Sequence, residues 1–587
     1  TDRAMYGITL VSGTLSENTT WTATNSPYIV TGDVTIPAYV TLTIEPGVKV
    51  RFLKLSDDAN TGYDTYRSEL YIQDNGALIA EGTATDSIYF MSNADSPEKG
   101  DWYGISVPSS GKVDIRMSYV SFSNVRYVFS TSSDYNSMRF FGNDGDSLII
   151  TNSYFRNIDE DIFNCRMYFY HSTCLIKNNK FKKWDARFLH NVYMYNNSLF
   201  NLDSNQFLGI DHGEILDGSI SSSDDSARVW VTNNTTNNWS DFRFQTYDTT
   251  IHDYNFVIEG NNFKGRGSNS NILFYGSGVT DGKFLIKDNV IDSASVYISW
   301  ANKALVQGNT IKNGTDSYDN GLYVYTTNAV IENNTITGHR STGLNVYIDQ
   351  SYADVVTDTI RNNIITGNNS NGYSYKSGIY VSGYGNHVIW YNDIYDNTGG
   401  NNNDGYYDLY VVTGELSGNL DARFNYWGPT TTAEMDEGDN PKDINRIHDY
   451  YENSNYNTVT YANWLSESGG DPPSNFTILG SILLTDSSGT EVLVFQPDST
   501  LYIQVTDPDR NADSGTAETV TATVTSTTET TGETVTLTET GANTNIFMGS
   551  ITLAGGAASS GDGILQVTGG DVITGSYTDP TDDYGSE

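Results

Sequence analysis

Seven residues near the C-terminus carry the most pointed chemical pattern in the chain. Asp507-Pro-Asp509-Arg-Asn511-Ala-Asp513 sets an oxygen donor at every second position, as the opening of a calcium loop does when it turns successive carboxylates and amides toward one hard cation. Asp579, Asp582 and Asp583 echo it in TDPTDDYG. Calcium is therefore the expected cofactor, with Asp507, Asp509, Asn511, Asp513, Asp579 and Asp582 as its ligands. The EF-hand frame is not completed, because Ala512 holds the sixth place where that loop needs Gly. Two acidic β-turns would give the same letters.

Two further residue classes could carry covalent chemistry. Cys165 and Cys174 stand nine positions apart; in an exported chain they are expected to form one local disulfide, the alternative being two buried free thiols. No second Cys pair or His stands at zinc-ligand spacing. Asn18, Asn196, Asn233, Asn234, Asn238, Asn313, Asn333, Asn368 and Asn475 are each followed two places on by Ser or Thr, which makes them N-glycosylation acceptors by motif. An Asn-rich chain also generates such motifs by chance.

The elements that position these residues come from a repeat. AVIENNTITG at 329–338 and TIRNNIITGN at 359–368 are near-copies, a short β-prone run followed by Asn, one variable residue and an aliphatic side chain. Aligned on that Asn, the pattern recurs at Asn152, Asn179, Asn205, Asn234, Asn261, Asn289, Asn309, Asn334, Asn363, Asn392 and Asn425, with steps of 20 to 33 residues. Helical-pair repeats run to about 34 residues, and a leucine-rich repeat would show an L-x-x-L-x-L frame that is absent. What remains is a β-solenoid of short parallel strands around a stack of like side chains. Asn suits its corners, since it tolerates left-handed backbone angles and its amide can bond local backbone or the Asn one coil away. An antiparallel sandwich punctuated by Asn-rich turns is the competing reading.

On these residues the chain resembles the right-handed parallel β-helix proteins of pectate-lyase-like architecture, especially their repeat-bearing surface and secreted members. The opening segment TIPAYVTLTIEPGVKV and the closing segment RFNYWGP followed by NPKDINRIHDYYENSNYNTVTYANWL are similar to the start and end of such proteins. The resemblance implies an all-β fold with residues 1–465 as the solenoid and its caps. Residues 466–474, SESGGDPPS, read as a linker. Residues 475–587 change to Thr, Val and Gly with about seven short alternating strands, which predicts an immunoglobulin-like β-sandwich.

Composition bounds the function. A net charge of −40 argues against nucleic acid, since phosphate binding needs clustered cations. It suits a secreted protein that binds calcium, or simply one kept soluble. No apolar run reaches membrane-span length. The chain opens at Thr1 without a signal-type apolar segment, which reads as an exported, extracellular or cell-surface protein in its processed form.

Enzymes of the resembled architecture place carboxylates on calcium with an Arg or Lys base, or cluster Asp beside a Gly-His-Gly turn. Gly338-His339-Arg340 and Asp211-His212-Gly213 do not match that turn, and Asp349, Asp354 and Arg361 are the nearest approach to a carboxylate and base set. Catalysis on a polysaccharide, by lyase or hydrolase chemistry, is thus the weaker expectation. The stronger is a structural subunit of a surface layer, sheath or filament whose partners are copies of itself. A third is an adhesin holding glycans through polar, aromatic loops at 203–253, with Tyr193, Tyr195, Trp230, Trp239, Tyr247 and Tyr254.

Overall fold

The structure, a computed structural model, describes residues 7–133, 135–142, 145–182, 188–208, 215–220, 227–239, 241–246, 256–265, 270–276, 282–315, 320–369, 377–397, 406–416, 418–438, 440–470, 480–507, 510, 516–542 and 544–579. It divides into two compact units, Thr1–Glu434 with Asp443–Thr460, and Met435–Lys442 with Tyr461–Glu587.

The first unit is a parallel β-solenoid of three-strand coils. One coil shows the rule. Ala329–Glu332 lies on the first face, Thr335–Thr337 on the second and Leu344–Ile348 on the third. Each then pairs in parallel with its successor, Val330 opposite Thr359, Thr335 opposite Ile364 and Leu344 opposite Ile379. The second-face strands join into one 19-stranded sheet. Because strand side chains alternate, every second residue points inward, and Ile331, Ile336 and Val346 are wholly buried. On the second face this makes a column of like residues, Phe90, Phe122, Phe155, Phe181 and Phe207, with most rings stacked at 4.7–5.2 Å. Farther on it continues as Ile291, Ile311, Ile336, Ile365 and Ile394. Thr236 interrupts it between Phe207 and Phe263, and its buried hydroxyl has no hydrogen-bond partner among the described residues.

The corner between the first and second faces uses two adjacent residues for the two tasks expected of one. The leading residue takes the left-handed conformation: Asn178, Asn233, Asn333 and Asn362 have φ of 55–57°. The second builds the ladder. In Asn309 the backbone N–H and Nδ2 both donate to Asn334 Oδ1 at 2.9 Å, and Nδ2 also donates to Ile286 O at 2.8 Å. The same bonds link Asn179, Asn205, Asn234, Asn261, Asn289, Asn309, Asn334, Asn363, Asn392 and Asn425. The register corrects the sequence alignment by one residue at its start. Asn152 is the left-handed residue (φ 53°), and Ser153 occupies the ladder, donating from its N–H to Asn179 Oδ1.

Among the described residues the second unit has seven strands in a single, mainly antiparallel sheet, from Ser481–Thr485 at one edge to Ile573–Ser576 at the other. The sheet rolls around Leu501, Ile503, Val505, Leu537 and Phe547. Its two edges approach closely enough that a Cβ on Gly575 would lie 3.1 Å from Ile482 and Leu484. The strand count matches the expectation for this segment, whereas the strands form one rolled sheet.

Candidate functional site

Of the expected calcium ligands the structure brings two into one neighbourhood. Asp507 is buried, and its Oδ2 accepts from the Tyr577 hydroxyl at 2.5 Å; Asp579 Oδ2 accepts from the Gly480 N–H at 2.7 Å. Gly480 adjoins both, since a Cβ there would lie 2.9 Å from Asp507 Oδ2. Asp509, Asn511, Asp513 and Asp582 lie outside the described residues. Among the described residues no three His, Cys, Asp or Glu side chains converge as a metal site.

The disulfide expectation is corrected: Cys165 and Cys174 are free and buried. Cys174 sits in the inner column between Leu148 and Phe200, and burial pushes both thiols well above their ordinary acidity range. Two acceptor sites are corrected as well. Asn234 and Asn368 are buried ladder residues, with Asn368 donating to Ile336 O and Asn397 Oδ1 at 2.9 Å, so neither has room for a glycan. Asn18, Asn233, Asn313 and Asn333 are exposed, Asn196 and Asn238 are partly exposed, and Asn475 lies outside the described residues.

The carboxylate and base set does not assemble. Asp349 caps a short 3-10 turn, accepting from the Ser351 N–H, and Asp354 is exposed. Arg361 is held by Glu332 at 2.7 Å. His339 is wholly buried in a second ladder, where its Nδ1 accepts from the Gly314 N–H and Nε2 meets Ile311 O. Burial lowers its basicity to about 4, which keeps it neutral. Asp211 and His212 lie outside the described residues. Deeper in the core, Asp358 Oδ2 meets His387 Nδ1 at 3.0 Å on adjacent coils, both side chains fully buried.

The strongest cluster of titratable groups is one the sequence reading passed over. Pairing of Val34 with Leu70 sets Asp33 beside Glu69 on the outer side of the second face. The two residues are 1% and 0% exposed. Asp33 Oδ1 accepts from the Glu69 N–H at 2.9 Å and Oδ2 from the Thr61 hydroxyl at 2.7 Å, while Glu69 Oε1 accepts from the Tyr63 N–H. Asp57 ties the covering segment down by accepting from the N–H groups of Asp33, Ala59 and Thr61. Only glycine fits at Gly62, with φ of 69° and a would-be Cβ 1.5 Å from Glu69 Oε1. Burial, with the charge of Asp57 adding at both and that of Asp33 adding at Glu69, pushes Asp33 up to about 6 and Glu69 up to about 8. At neutral pH Glu69 therefore keeps its proton. Beside the pair, Arg126 bonds Glu160 and Asp64, and Arg67 bonds Asp64 at 2.8 Å. The signal in the sequence was an acid inside a strand run, YIVTGDVTI, followed by an acid opening ELYI.

Aromatic residues gather on the third face, where strands rather than loops present them. Tyr168 stacks on Tyr193 at 4.6 Å, and Phe141, Tyr170 and Tyr195 stack in series at 4.8 Å. Arg139 lies over Tyr168 and Arg166 over Tyr135; neither guanidinium has a carboxylate partner among the described residues. Trp230 sits on the first face, between Asn201 and Val257. Tyr247 and Tyr254 lie outside the described residues, as does the Trp239 side chain.

Residues 13–144, which hold the Asp33–Glu69 pair, match the family described as pectate-lyase like beta helix domain. The solenoid is a parallel β-helix, and the pectate-lyase-like match falls on its first coils. Farther along this β-helix, residues 231–421 match a family described as protein of unknown function, DUF1565. No curated protein matches the chain. Among the described residues no helix of the structure is long and apolar enough to cross a membrane.

Proposed function

We propose that the chain is an extracellular structural protein, a subunit of a cell-surface layer, sheath or filament that assembles from copies of itself. One observation carries this reading: several of the described side chains best suited to catalysis in the β-helix are engaged in holding its own coils together. Arg361 is paired with Glu332, His339 is a ladder residue, Asp358 faces His387, and the Asp33–Glu69 pair is sealed beneath residues 57–68. A stiff coil with its outer faces left for contact suits assembly better than turnover. The rolled, mainly antiparallel sheet at the C-terminus supports a separate β-rich contact module there. The nearness of Asp507 and Asp579 supports a calcium ion that orders it.

Imaging the purified chain with and without calcium tests this; a strictly monomeric chain at high concentration in both conditions would sink it. A second reading, attachment to glycans, is favoured by the Tyr168–Tyr193 and Tyr170–Tyr195 stacks beside Arg139 and Arg166. A glycan array without hits removes it. Release of unsaturated or reducing products from acidic polysaccharides would replace both readings with an enzymatic one.

A further inference from the structure

The positive charge of this acidic chain is concentrated in a few coils. Residues 111–190 hold eleven Lys and Arg against eight Asp and Glu, in a chain of net charge −40. On the outer third face of those coils Arg139 lies across from Tyr168, which follows Arg166 by two residues on the neighbouring strand. The Arg139 guanidinium sits 5.8 Å over the Tyr168 ring, and that of Arg166 sits 5.6 Å over Tyr135. Among the described residues, the buried Nε of each has no hydrogen-bond partner and neither side chain has a carboxylate to pair with. Such an N–H is costly until an acceptor reaches it.

The rings beside them turn their edges outward. Phe141, Tyr170 and Tyr195 stack at 4.8 Å with interplanar angles of 9° and 11°, and Tyr168 stacks on Tyr193 at 4.6 Å. This is the spacing of adjacent strands, so the stacks run along the coil axis and most π-faces are covered by a neighbouring ring. A sugar docks its C–H groups on open ring faces and finds few here; solvent meets the positive ring edges and the hydroxyls. Burial holds Tyr170 and Tyr193 above the ordinary tyrosine range, so both keep their protons and can donate. The face is thus aromatic, cationic and rich in donors, which suits an acceptor-only carboxylate.

We propose that this face docks the acidic C-terminal unit of a second copy, with Arg139 and Arg166 taking the carboxylates of that copy's Glu491 and Asp498. Charge names the occupant. Residues 475–587 carry sixteen Asp and Glu against one Arg and no Lys. Within them the stretch EVLVFQPD at 491–498 supplies both features the face needs. Glu491 and Asp498 are exposed and belong to no ion pair among the described residues. Between them Leu493 and Val494 are 87% and 76% exposed. The two apolar side chains cover ring edges while the carboxylates reach the guanidinium groups, a pairing of aromatic and Arg anchors common at protein interfaces. Face and stretch are different surfaces, so the contact is head-to-tail, the kind that builds open chains of copies when its rotation does not close.

The inference rests on the self-assembling reading and names its contact. Sedimentation of the full chain is expected to show association that rises with concentration and weakens about tenfold or more from low to high salt. Arg139→Gln with Arg166→Gln, and separately Glu491→Gln with Asp498→Asn, should each weaken it about tenfold or more at an unchanged melting temperature. Mixed together, the two variants recover a complex of wild-type affinity that stops at pairs, because one supplies an intact stretch and the other an intact face. Undiminished association in either variant, or a mixture no tighter than its components, overturns this contact while leaving assembly through another. A wild-type chain monomeric at every concentration overturns both, and acidic-glycan binding by that monomer that is lost with Arg139→Gln and Arg166→Gln assigns the face to a glycan instead.

Discussion

Glu69→Gln converts the buried carboxyl into a permanent copy of its protonated form. In the folded β-helix Glu69 holds its proton up to about pH 8, against 4.5 for the free group. A carboxyl with a raised folded-state value binds more protons folded than unfolded, so its contribution is complete below pH 4.5 and is lost as pH rises through about 8. The full difference corresponds to roughly 5 kcal/mol. Water entry and movement of residues 57–68 reduce this, so about 2 kcal/mol of pH-dependent loss between pH 5 and pH 9 is a reasonable expectation. The amide that replaces the carboxyl retains the oxygen that accepts from Tyr63 and carries no charge beside Asp33. Thermal and urea unfolding from pH 5 to pH 9 should show matching stabilities at the acid end and a variant more stable by about 2 kcal/mol at the alkaline end. Parallel pH profiles for wild type and variant would refute the reasoning, because Glu69 would then ionise as an ordinary surface carboxylate.

Four further outcomes are expected. Asn309→Ala removes the acceptor for two Asn289 donors and the bond to Ile286 O; it should cost about 3 kcal/mol in urea unfolding, whereas Asn333→Gly at an exposed left-handed corner position should be near neutral. Asp358→Ala strands His387 in the core and should cost about 3–5 kcal/mol, with much of the loss recovered when both are changed to Leu. Thr236→Val removes a buried, unbonded hydroxyl from the Phe207–Phe263 column and should raise stability by about 1 kcal/mol. Maleimide labelling of non-reduced protein should modify two thiols in denaturant and none natively, since Cys165 and Cys174 are buried and free.

The solenoid was legible because it is written in composition at a fixed place: Asn at each corner, then an aliphatic or aromatic residue two places later. Periodicity finds such a column without knowing the three-dimensional path. The one-residue slip at Asn152 arose because neighbouring corner positions favour the same residue for different reasons, one for its backbone and one for its amide. Cys165 and Cys174 could not be settled from spacing, since nine residues can lead to a facing pair or to separate positions in the stack. The Asp33–Glu69 pair was invisible for a related reason. Its members are brought together by the parallel pairing of Tyr28–Ile36 with Glu69–Ile72, a registration that local letters do not specify. Sequons overpredict here because the residue that builds the ladder is also the residue a glycan needs.

The ladder has a direction. From Ser153 to Asn392 each ladder residue, the second of the two corner positions, donates toward the Oδ1 of the next ladder residue on its C-terminal side. Side-chain amide dipoles are therefore aligned head to tail along the coil axis, each polarising the next. The β-helix consequently possesses an electrical axis built from side chains rather than backbone. Reversing one amide would place two donors face to face, so any coil inserted, deleted or exchanged must preserve that polarity.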